Sequence, residues 1–247
     1  MKNEQIKHGD VFPTNEGGSV TVVEYRNAHG VIIQHNDDYG HIATVRAGDL
    51  RRGMVKNPYH RSVFGVGFIG VGEHPVSVNR KLTPVYKTWN NMLERCYNPK
   101  FHVRRPTYIG CTVHPNWHNF QVFAEWFERQ YFASGWQLDK DLIVEGNKVY
   151  SDTTCTFVPH QLNTLLIDCG ASRADLPQGV TRRNCGYKAQ LSIDGNQHQL
   201  GTHATPEEAF KIYKFAKEEN IKRVAGLWKG LIDPRVYDLL INYEVKP

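Results

Sequence analysis

Residues 137–166 read QLDKDLIVEGNKVYSDTTCTFVPHQLNTLL, and this stretch decides the fold of the central part of the chain. Leu138–Val144 is an apolar run that carries acidic residues, Glu145–Lys148 is a turn, and Val149–Val158 is a second extended run. Pro159 predicts the start of a helix, because proline is favoured in the first helical turn. The pattern therefore predicts a β-hairpin followed by a helix, a ββα finger.

Polar side chains are placed to meet inside this finger. Asp139 and Asp141 on the first strand can face His160 and Asn163 on the helix. Carboxylate, imidazole and amide groups together can hold one hard divalent ion against a phosphate. In the alternative interpretation, the two aspartates cap turns or pair with lysine, and His160 is a surface residue of the helix.

Two helices are predicted before the finger. The first has Thr83 as its cap and Pro84 at its first position. One face of this helix is apolar and carries Val85, Trp89, Met92 or Leu93, and Cys96. The second begins near Asn119 and carries an aromatic stripe of Phe120, Phe123, Phe127 and Tyr131, with Val122 and Trp126 beside it. Such stripes are typical of a packed core.

The first 75 residues are rich in short strand patterns separated by Gly, Asn and Asp turns. The runs Ser19–Tyr25, Gly30–His35 and His41–Val45 predict a small β-barrel, whose beginning resembles a KOW-type module. The basic and aromatic segment 51–61 follows. It either tracks a phosphate backbone or forms a linker with the glycine-punctuated stretch 64–72.

The C-terminal region predicts three strands and a helix. Gly179–Arg183, Gly186–Leu191 and Gln199–His203 have strand patterns, and Thr205-Pro206-Glu207-Glu208 supplies a cap, a first-position proline and acidic residues for a helix. Alternation places one set of side chains between sheet and helix: Tyr187, Ala189 and Leu191 against Ala209, Ile212, Tyr213 and Ala216. The tail after Ala225 predicts a short helical cap and a final strand, or a surface for self-association as a homodimer.

The opposite face of this predicted sheet is polar and basic, which is the form of a β-sheet that reads the major groove of DNA. The candidate DNA-binding residues are Arg182, Arg183, Lys188, Gln190, Ser192 and Gln199. The alternative is a structural sheet with a solvated polar face.

Composition agrees with an anionic partner and disfavours disulfide-rich, zinc-binding, secreted and membrane proteins. The formal net charge is +5, and Lys and Arg can replace counterions along a phosphate backbone. The five cysteines are an odd number without close pairs, which disfavours a disulfide framework. Structural zinc is not expected, because Cys96, Cys111, His114, Cys155 and Cys169 match no common zinc-site spacing. No signal-peptide core and no run of ~20 apolar residues occurs, so we expect a cytoplasmic protein with no membrane partner.

A family resemblance covers Tyr86–Leu166, about a third of the chain. The features that carry it are Trp89, Met92, Arg95–Asn98, Tyr108, Gly110, Trp117, Phe120, Phe123, Leu138–Lys140, Asn147, Tyr150, Cys155, Phe157, Gln161 and Asn163. In these positions the chain resembles the HNH-type homing endonuclease family of phages and prophages. The resemblance implies metal-dependent hydrolysis of DNA phosphodiester bonds, in the cytoplasm of a host cell if the protein is phage-encoded.

The resemblance also implies roles for individual residues. Asp139 and Asn163 would bind the divalent metal, Mg or Mn. Where relatives have a strand histidine that activates water, this chain has Lys140, which is protonated at its ordinary pKa and would instead contact phosphate or neutralise transition-state charge. His160 is then the only nearby group able to act as a base, although the family pattern does not require a histidine there. The candidate catalytic residues are His160, Lys140 and Asp139.

The C-terminal region resembles the Apetala/ethylene-response-factor DNA-binding domain, three antiparallel strands packed on one helix, which also follows HNH nucleases in phages. Arg183 stands at a position that matches this family, whereas Thr181, Cys185 and Ser192 depart from its arginines and tryptophan. The sequence preference of the family therefore does not carry over.

These patterns together predict a multi-domain α+β protein. We expect a barrel domain and linker at 1–75, an HNH-like finger domain at 76–170, and a DNA-binding domain with a C-terminal cap at 171–247. The predicted function is metal-dependent cleavage of double-stranded DNA. The alternatives are a catalytically inactive relative that binds DNA or a host protein as a regulator or inhibitor, and a structural phage protein that binds no DNA.

Overall fold

The computed structural model of the chain describes residues 5–130, 132–166 and 176–247. The chain folds into two compact units, residues 1–127 and 128–247. Helices and several small sheets occur in both, so the predicted mixed α+β class is confirmed. The three-domain division with boundaries after residues 75 and 170 remains a prediction. Among the described residues, no helix combines the length and the apolar character that crossing a bilayer requires.

Unit 1 begins with an antiparallel sheet of strands β1 (Val11–Pro13), β2 (Ser19–Asn27), β3 (Gly30–His35) and β4 (Ile42–Val45), paired in that order. The three predicted strands occur within two residues of their expected bounds, and β1 is additional. Alternating apolar residues of the sheet are fully buried: Val20, Val22, Val31 and Ile33. This alternation is why the sequence specified the register of β2 and β3.

The prediction of a barrel is not met, because this sheet is open. No pairing in the described part of the chain joins β4 back to β1. The physical reason is the segment after β4, which forms helix α1 (Ala47–Arg51) instead of a further strand. Ala47 and Leu50 of α1 are buried against the apolar face of the sheet, so a helix covers the core that a closed barrel would enclose.

Three α-helices follow in the remainder of unit 1. A two-stranded hairpin, β5 (Ser77–Val78) and β6 (Lys81–Leu82), precedes helix α2 (Pro84–Tyr97). The Thr83 hydroxyl accepts a hydrogen bond from Tyr86 N at 3.3 Å, which confirms the predicted cap. Helix α3 (Pro99–Arg104), a 3₁₀ turn (Pro106–Tyr108), strand β7 (Thr112–Val113), a second 3₁₀ turn (Pro115–His118) and helix α4 (Phe120–Glu128) follow.

The predicted apolar face of α2 is buried, and it packs on the aromatic stripe of α4. Trp89 and Phe120 lie with ring centroids 5.5 Å apart, and both are inaccessible to solvent. The indole N–H of Trp89 donates to the carbonyl of Trp117 at 2.7 Å, so burial leaves it satisfied. Phe120, Phe123 and Phe127 of the predicted stripe are buried, whereas Val122 beside it is 37% exposed. Tyr131 lies outside the described residues.

Unit 2 contains the finger and the C-terminal sheet. The finger strands are β8 (Gln137–Asp139), β9 (Val149–Tyr150) and β10 (Thr156–Val158), followed by helix α5 (His160–Leu165). Strand β8 pairs antiparallel with β10, and α5 packs against β8, which is a ββα arrangement. The strands are much shorter than the predicted runs 138–144 and 149–158.

The C-terminal sheet is antiparallel, with β11 (Val180–Arg183), β12 (Gly186–Ile193) and β13 (Asn196–His203) in that order. Helix α6 (Pro206–Leu227) packs on one face of the sheet, and α7 (Pro234–Ile241) packs on α6. The Thr205 hydroxyl accepts from Glu208 N at 3.2 Å, so the predicted cap is confirmed. The predicted final strand is absent from the described tail, where Val245 is buried outside any strand.

The contact between sheet and helix follows the prediction with one exception. Ala189, Leu191, Ala209 and Tyr213 are buried in one cluster. Ile212 is 42% exposed, because the helix turns its side chain away from the sheet. The prediction that Ile212 packs in this core is therefore wrong.

Candidate nucleic-acid interface and finger cavity

Strand register separates the C-terminal sheet into a helix-packed face and an open face. Val180 pairs with Ala189, and both are buried under α6. Neighbouring positions therefore point to the other side, because side chains alternate along a strand. Eight described residues lie on this open face: Thr181, Arg183, Lys188, Gln190, Ser192, Gln197, Gln199 and Thr202.

The open face is polar throughout, carries two cations and contains no acidic side chain. Arg183 is exposed and Lys188 is half-buried. Neither cation has a hydrogen-bond or ion-pair partner within the described residues. Their donors are therefore available to an external anion. Five of the six residues predicted for DNA binding lie on this face.

Arg182 is the sixth, and the structure places it on the opposite face. It pairs across the strands with Tyr187, whose ring packs towards α6. The guanidinium lies 5.6 Å from the centroid of the Tyr187 ring, and its Nη2 donates to the Tyr187 hydroxyl at 3.2 Å. Arg182 therefore belongs to the edge of the module's core and not to the open face.

Three residues of the open face were not singled out by the sequence: Thr181, Gln197 and Thr202. Thr181 lies on β11 and pairs with Lys188. The positions of Gln197 and Thr202 depend on the register between β12 and β13, which shifts at a bulge between Ala189 and Gln190. A bulge reverses the alternation beyond it, so the pattern of β13 alone did not reveal which side chains share a face. Thr181 Oγ1 is buried without a hydrogen-bond partner among the described residues, and it borders a cavity of about 320 Å³ with Gln190, Ser192 and Gln197.

Asp139 ends the first strand of the finger. Its Oδ1 accepts hydrogen bonds from Asp141 N at 3.0 Å and Leu142 N at 2.7 Å, so the carboxylate caps a turn. Burial, followed by the nearby charge of Asp141, raises the pKa of Asp139 above its usual range. The Asp139 carboxylate therefore holds a proton more tightly than a solvent-exposed aspartate does.

Lys140 is buried in the finger. Its Nζ forms an ion pair with Asp141 Oδ2 at 2.9 Å and lies 5.8 Å from the centroid of the Tyr150 ring. The ammonium group therefore has partners within the protein. It is not among the described residues that line the cavity beside Asp139.

Asn163 and Asp139 line one cavity of about 740 Å³ in unit 2. Asn163 Nδ2 donates to Gln137 Oε1 at 2.7 Å, which links α5 to β8. This hydrogen bond uses the amide nitrogen of Asn163 and not its amide oxygen. The described lining also includes the acidic residues Asp141, Glu145 and Glu244. The structure thus brings the two predicted metal ligands to one cavity.

His160 is not brought to this cavity. It is the first residue of α5 and is exposed, and the described lining of the cavity contains no histidine. In the described part of the chain, no group of three His, Cys, Asp or Glu side chains is arranged to hold a metal ion. The arrangement corresponds to the alternative in which Asp139 caps a turn, Asp141 pairs with Lys140 and His160 lies at the surface.

Three of the four cysteines considered for zinc lie within the described residues. Cys96, Cys111 and Cys155 are buried free thiols, and Cys169 lies outside the described residues. Burial raises the pKa of Cys155 to about 12, so this side chain is a neutral thiol at physiological pH. It packs as a small apolar group.

No family model, curated protein or solved structure matches the chain.

Proposed function

We propose that this chain binds double-stranded DNA through the open face of its C-terminal sheet. The face combines two cations without partners among the described residues, amide groups and hydroxyl groups, and lacks acidic residues. Arginine and lysine donate to guanine, glutamine pairs with adenine, and either cation binds phosphate. These are the side-chain types that contacts to bases and contacts to phosphates require.

The dimensions of the sheet agree with this function. Three strands spaced about 4.8 Å apart span about 10 Å between the outer strands. The major groove of B-DNA is about 12 Å wide, which admits a narrow sheet in face-on contact. Helix α6 supports the opposite face, so the open face is held by a packed core.

A charge-matched pair of variants tests this function. Arg183→Gln with Lys188→Gln removes two charges from the open face, and Arg182→Gln with Lys211→Gln removes two charges from elsewhere in the same module. Binding to labelled duplex DNA is measured by fluorescence anisotropy across salt concentrations. We expect the open-face variant to lose at least about tenfold in affinity and about two units of the salt slope.

The matched control should stay close to wild type, since Arg182 is engaged with Tyr187. Equal losses in the two variants, or absence of salt-sensitive DNA binding by the wild-type chain, would overturn the proposed function.

A second candidate function is metal-dependent hydrolysis of the bound DNA. The observation that favours it is the convergence of Asp139 and Asn163 on one cavity in a ββα arrangement. One carboxylate oxygen of Asp139 and the amide oxygen of Asn163 fit a hard divalent cation, which takes oxygen ligands and water. Bound there, Mg²⁺ or Mn²⁺ would polarise a phosphoryl oxygen and lower the pKa of a water.

Cleavage of supercoiled plasmid separates the two candidates. The wild-type chain and two variants, Asp139→Ala and His160→Gln, are incubated with the plasmid and Mg²⁺ or Mn²⁺. Loss of nicking in Asp139→Ala but not in His160→Gln would support hydrolysis at the cavity without a histidine base. Salt-sensitive binding without nicking would leave DNA binding as the function and exclude hydrolysis under the conditions tested.

A further inference from the structure

A strongly basic segment lies in unit 1, far along the sequence from the C-terminal sheet. We define the basic segment as residues 95–108, which contain Arg95, Lys100, Arg104 and Arg105. The sequence from 95 to 124 has no Asp or Glu. The nearest preceding acid, Glu94, accepts a hydrogen bond from Asn98 Nδ2 at 3.2 Å. Positive charge is therefore concentrated here beyond the average of the chain.

Three of these cations are exposed and unneutralised. Lys100, Arg104 and Arg105 are all exposed, and none forms an ion pair within the described part of the chain. Lys100 and Arg104 are four residues apart on α3, so they lie on one side of that helix. Like charges at this spacing repel each other, and a bound anion would relieve that repulsion.

Aromatic rings hold two of the guanidinium groups in place. Arg95 lies 5.7 Å from the centroid of the Tyr108 ring, and Arg104 lies 5.8 Å from that of Phe101. The Phe101 and Tyr108 rings contact each other edge to face at 5.5 Å. The order is thus cation, ring, ring, cation, an arrangement that restricts both arginine side chains before any ligand binds.

The backbone of the segment is also fixed. The side chain of Asn98 caps α3 by accepting from Lys100 N at 3.0 Å. The His102 ring nitrogen lies 2.8 Å from the carbonyl oxygen of Arg95 and joins α3 to the end of α2. Restricted cations lose less conformational entropy on binding than free ones, so the segment is preorganised for an anionic surface.

We infer that the basic segment is a second DNA contact, one that binds the phosphate backbone without reading sequence. This inference rests on the proposed DNA-binding function. A guanidinium fork matches a phosphate group in two parallel hydrogen bonds, and duplex DNA offers one negative charge per about 1.7 Å of its axis. The segment offers no Asn or Gln beyond Asn98, which caps α3, so it lacks the amide groups that read adenine.

Three variants of the full chain test the inference, and two of them remove the same number of charges. The first variant carries Lys100→Gln, Arg104→Gln and Arg105→Gln, and the control carries Lys7→Gln, Lys81→Gln and Lys211→Gln at exposed cations outside both surfaces. A further variant, Arg104→Lys with Arg105→Lys, keeps the charge. Binding to labelled AT-only and GC-only duplexes, and to poly-L-glutamate, is measured across salt concentrations, with thermal melts to confirm folding.

We expect the salt slope of the triple variant to fall by two to three units, because each phosphate contact contributes about 0.9. The loss of affinity should be the same on both duplexes. The control and the lysine variant should retain the wild-type slope to within about one unit. A triple variant that matches the control, or a loss confined to one duplex, would overturn the inference.

The remaining outcomes separate this inference from the proposed function. If the triple variant binds DNA as the wild-type chain does but no longer binds poly-L-glutamate, the segment binds an acidic protein partner and the DNA contact is overturned. If substitution of Arg183 and Lys188 weakens DNA binding but substitution of the basic segment does not, the proposed function is retained and the second contact is rejected. Absence of any DNA binding would reject both.

Discussion

Asp139 is the residue at which the finger departs most from its predicted form. The sequence predicts that an apolar strand continues to Val144, but β8 ends at Asp139 because its carboxylate accepts two backbone N–H groups and turns the chain. Asp and Asn make such turns readily, and this local preference overrode the strand propensity of the apolar residues that follow. The same residue lines a cavity with Asn163, so the structural and the chemical interpretations concern one side chain.

Substitution of Asp139 separates its role in the turn from its charge. Asp139→Ala should reduce the free energy of unfolding by about 1 kcal/mol, since two backbone donors lose their acceptor. Asp139→Asn keeps an acceptor and removes repulsion with Asp141, so it should be close to neutral. Urea denaturation measures the free energy of unfolding of both variants.

The raised pKa of Asp139 adds a pH dependence with a defined sign. The folded chain holds this proton more tightly than the unfolded chain, so stability falls as pH rises from the ordinary carboxyl value to the raised one. Asp139→Asn should remove that part of the profile. An asparagine variant as unstable as the alanine variant at every pH would contradict the assigned turn geometry.

His35 predicts an opposite pH dependence for unit 1. Burial lowers its pKa, and its Nε2 has no hydrogen-bond partner in the described residues. The unfolded chain therefore binds the proton more tightly, and stability is lost as pH falls below the ordinary histidine value of about 6.5. His35→Gln should narrow the difference in Tm between about pH 7.5 and pH 5.5.

The exposed His29 provides the comparison for this measurement. His29→Gln should retain the wild-type difference in Tm. If both glutamine variants retain it, His35 does not titrate as its burial requires.

Elements with strong local signals were predictable, and elements that depend on pairing over distance were not. Helices α2 and α6 begin at the caps that Thr83 and Thr205 indicate, because a cap is a local hydrogen bond. The alternation of β12 likewise identified the residues under α6. The bulge in β13 and helix α1, which follows the open N-terminal sheet, are set by tertiary packing, which no local pattern records.

The close approach of α6 to the start of β11 gives a test at this scale. Gly179 has φ +75°, and a Cβ there would overlap the ring of Tyr213. Gly179→Ala should therefore reduce the free energy of unfolding by about 2 kcal/mol or more, from backbone strain and overpacking together. Gly195 in the β12–β13 turn has φ +82° but open space around it, so Gly195→Ala should cost only the backbone part, about 1 kcal/mol.

Removing the ring isolates the steric part of this effect. In a Tyr213→Ala background, Gly179→Ala should cost about as much as Gly195→Ala does in the wild-type chain. Equal costs for the two glycine substitutions in the wild-type chain would show that α6 does not pack as closely on Gly179 as described.

At the scale of the whole molecule, the proposed function depends on cations that form no ion pair within the described residues. Unit 2 presents them on the open face of a sheet, and unit 1 presents them on the basic segment. The sequence predicted the first surface from alternation and resemblance. It did not single out the second, because the order of cations and rings is formed by α2, α3 and the 3₁₀ turn in three dimensions.

Site-specific photocrosslinking tests the central claim, DNA contact by the open face, most directly. A photoreactive phenylalanine analogue replaces Ser192 on the open face in one protein and Phe215, which is exposed on α6, in another. Each protein is irradiated with labelled duplex DNA at low salt. The structure predicts a protein–DNA crosslink from position 192 and none from position 215. Crosslinks from position 215 alone, or from neither position while the protein binds the DNA, would contradict contact through the open face.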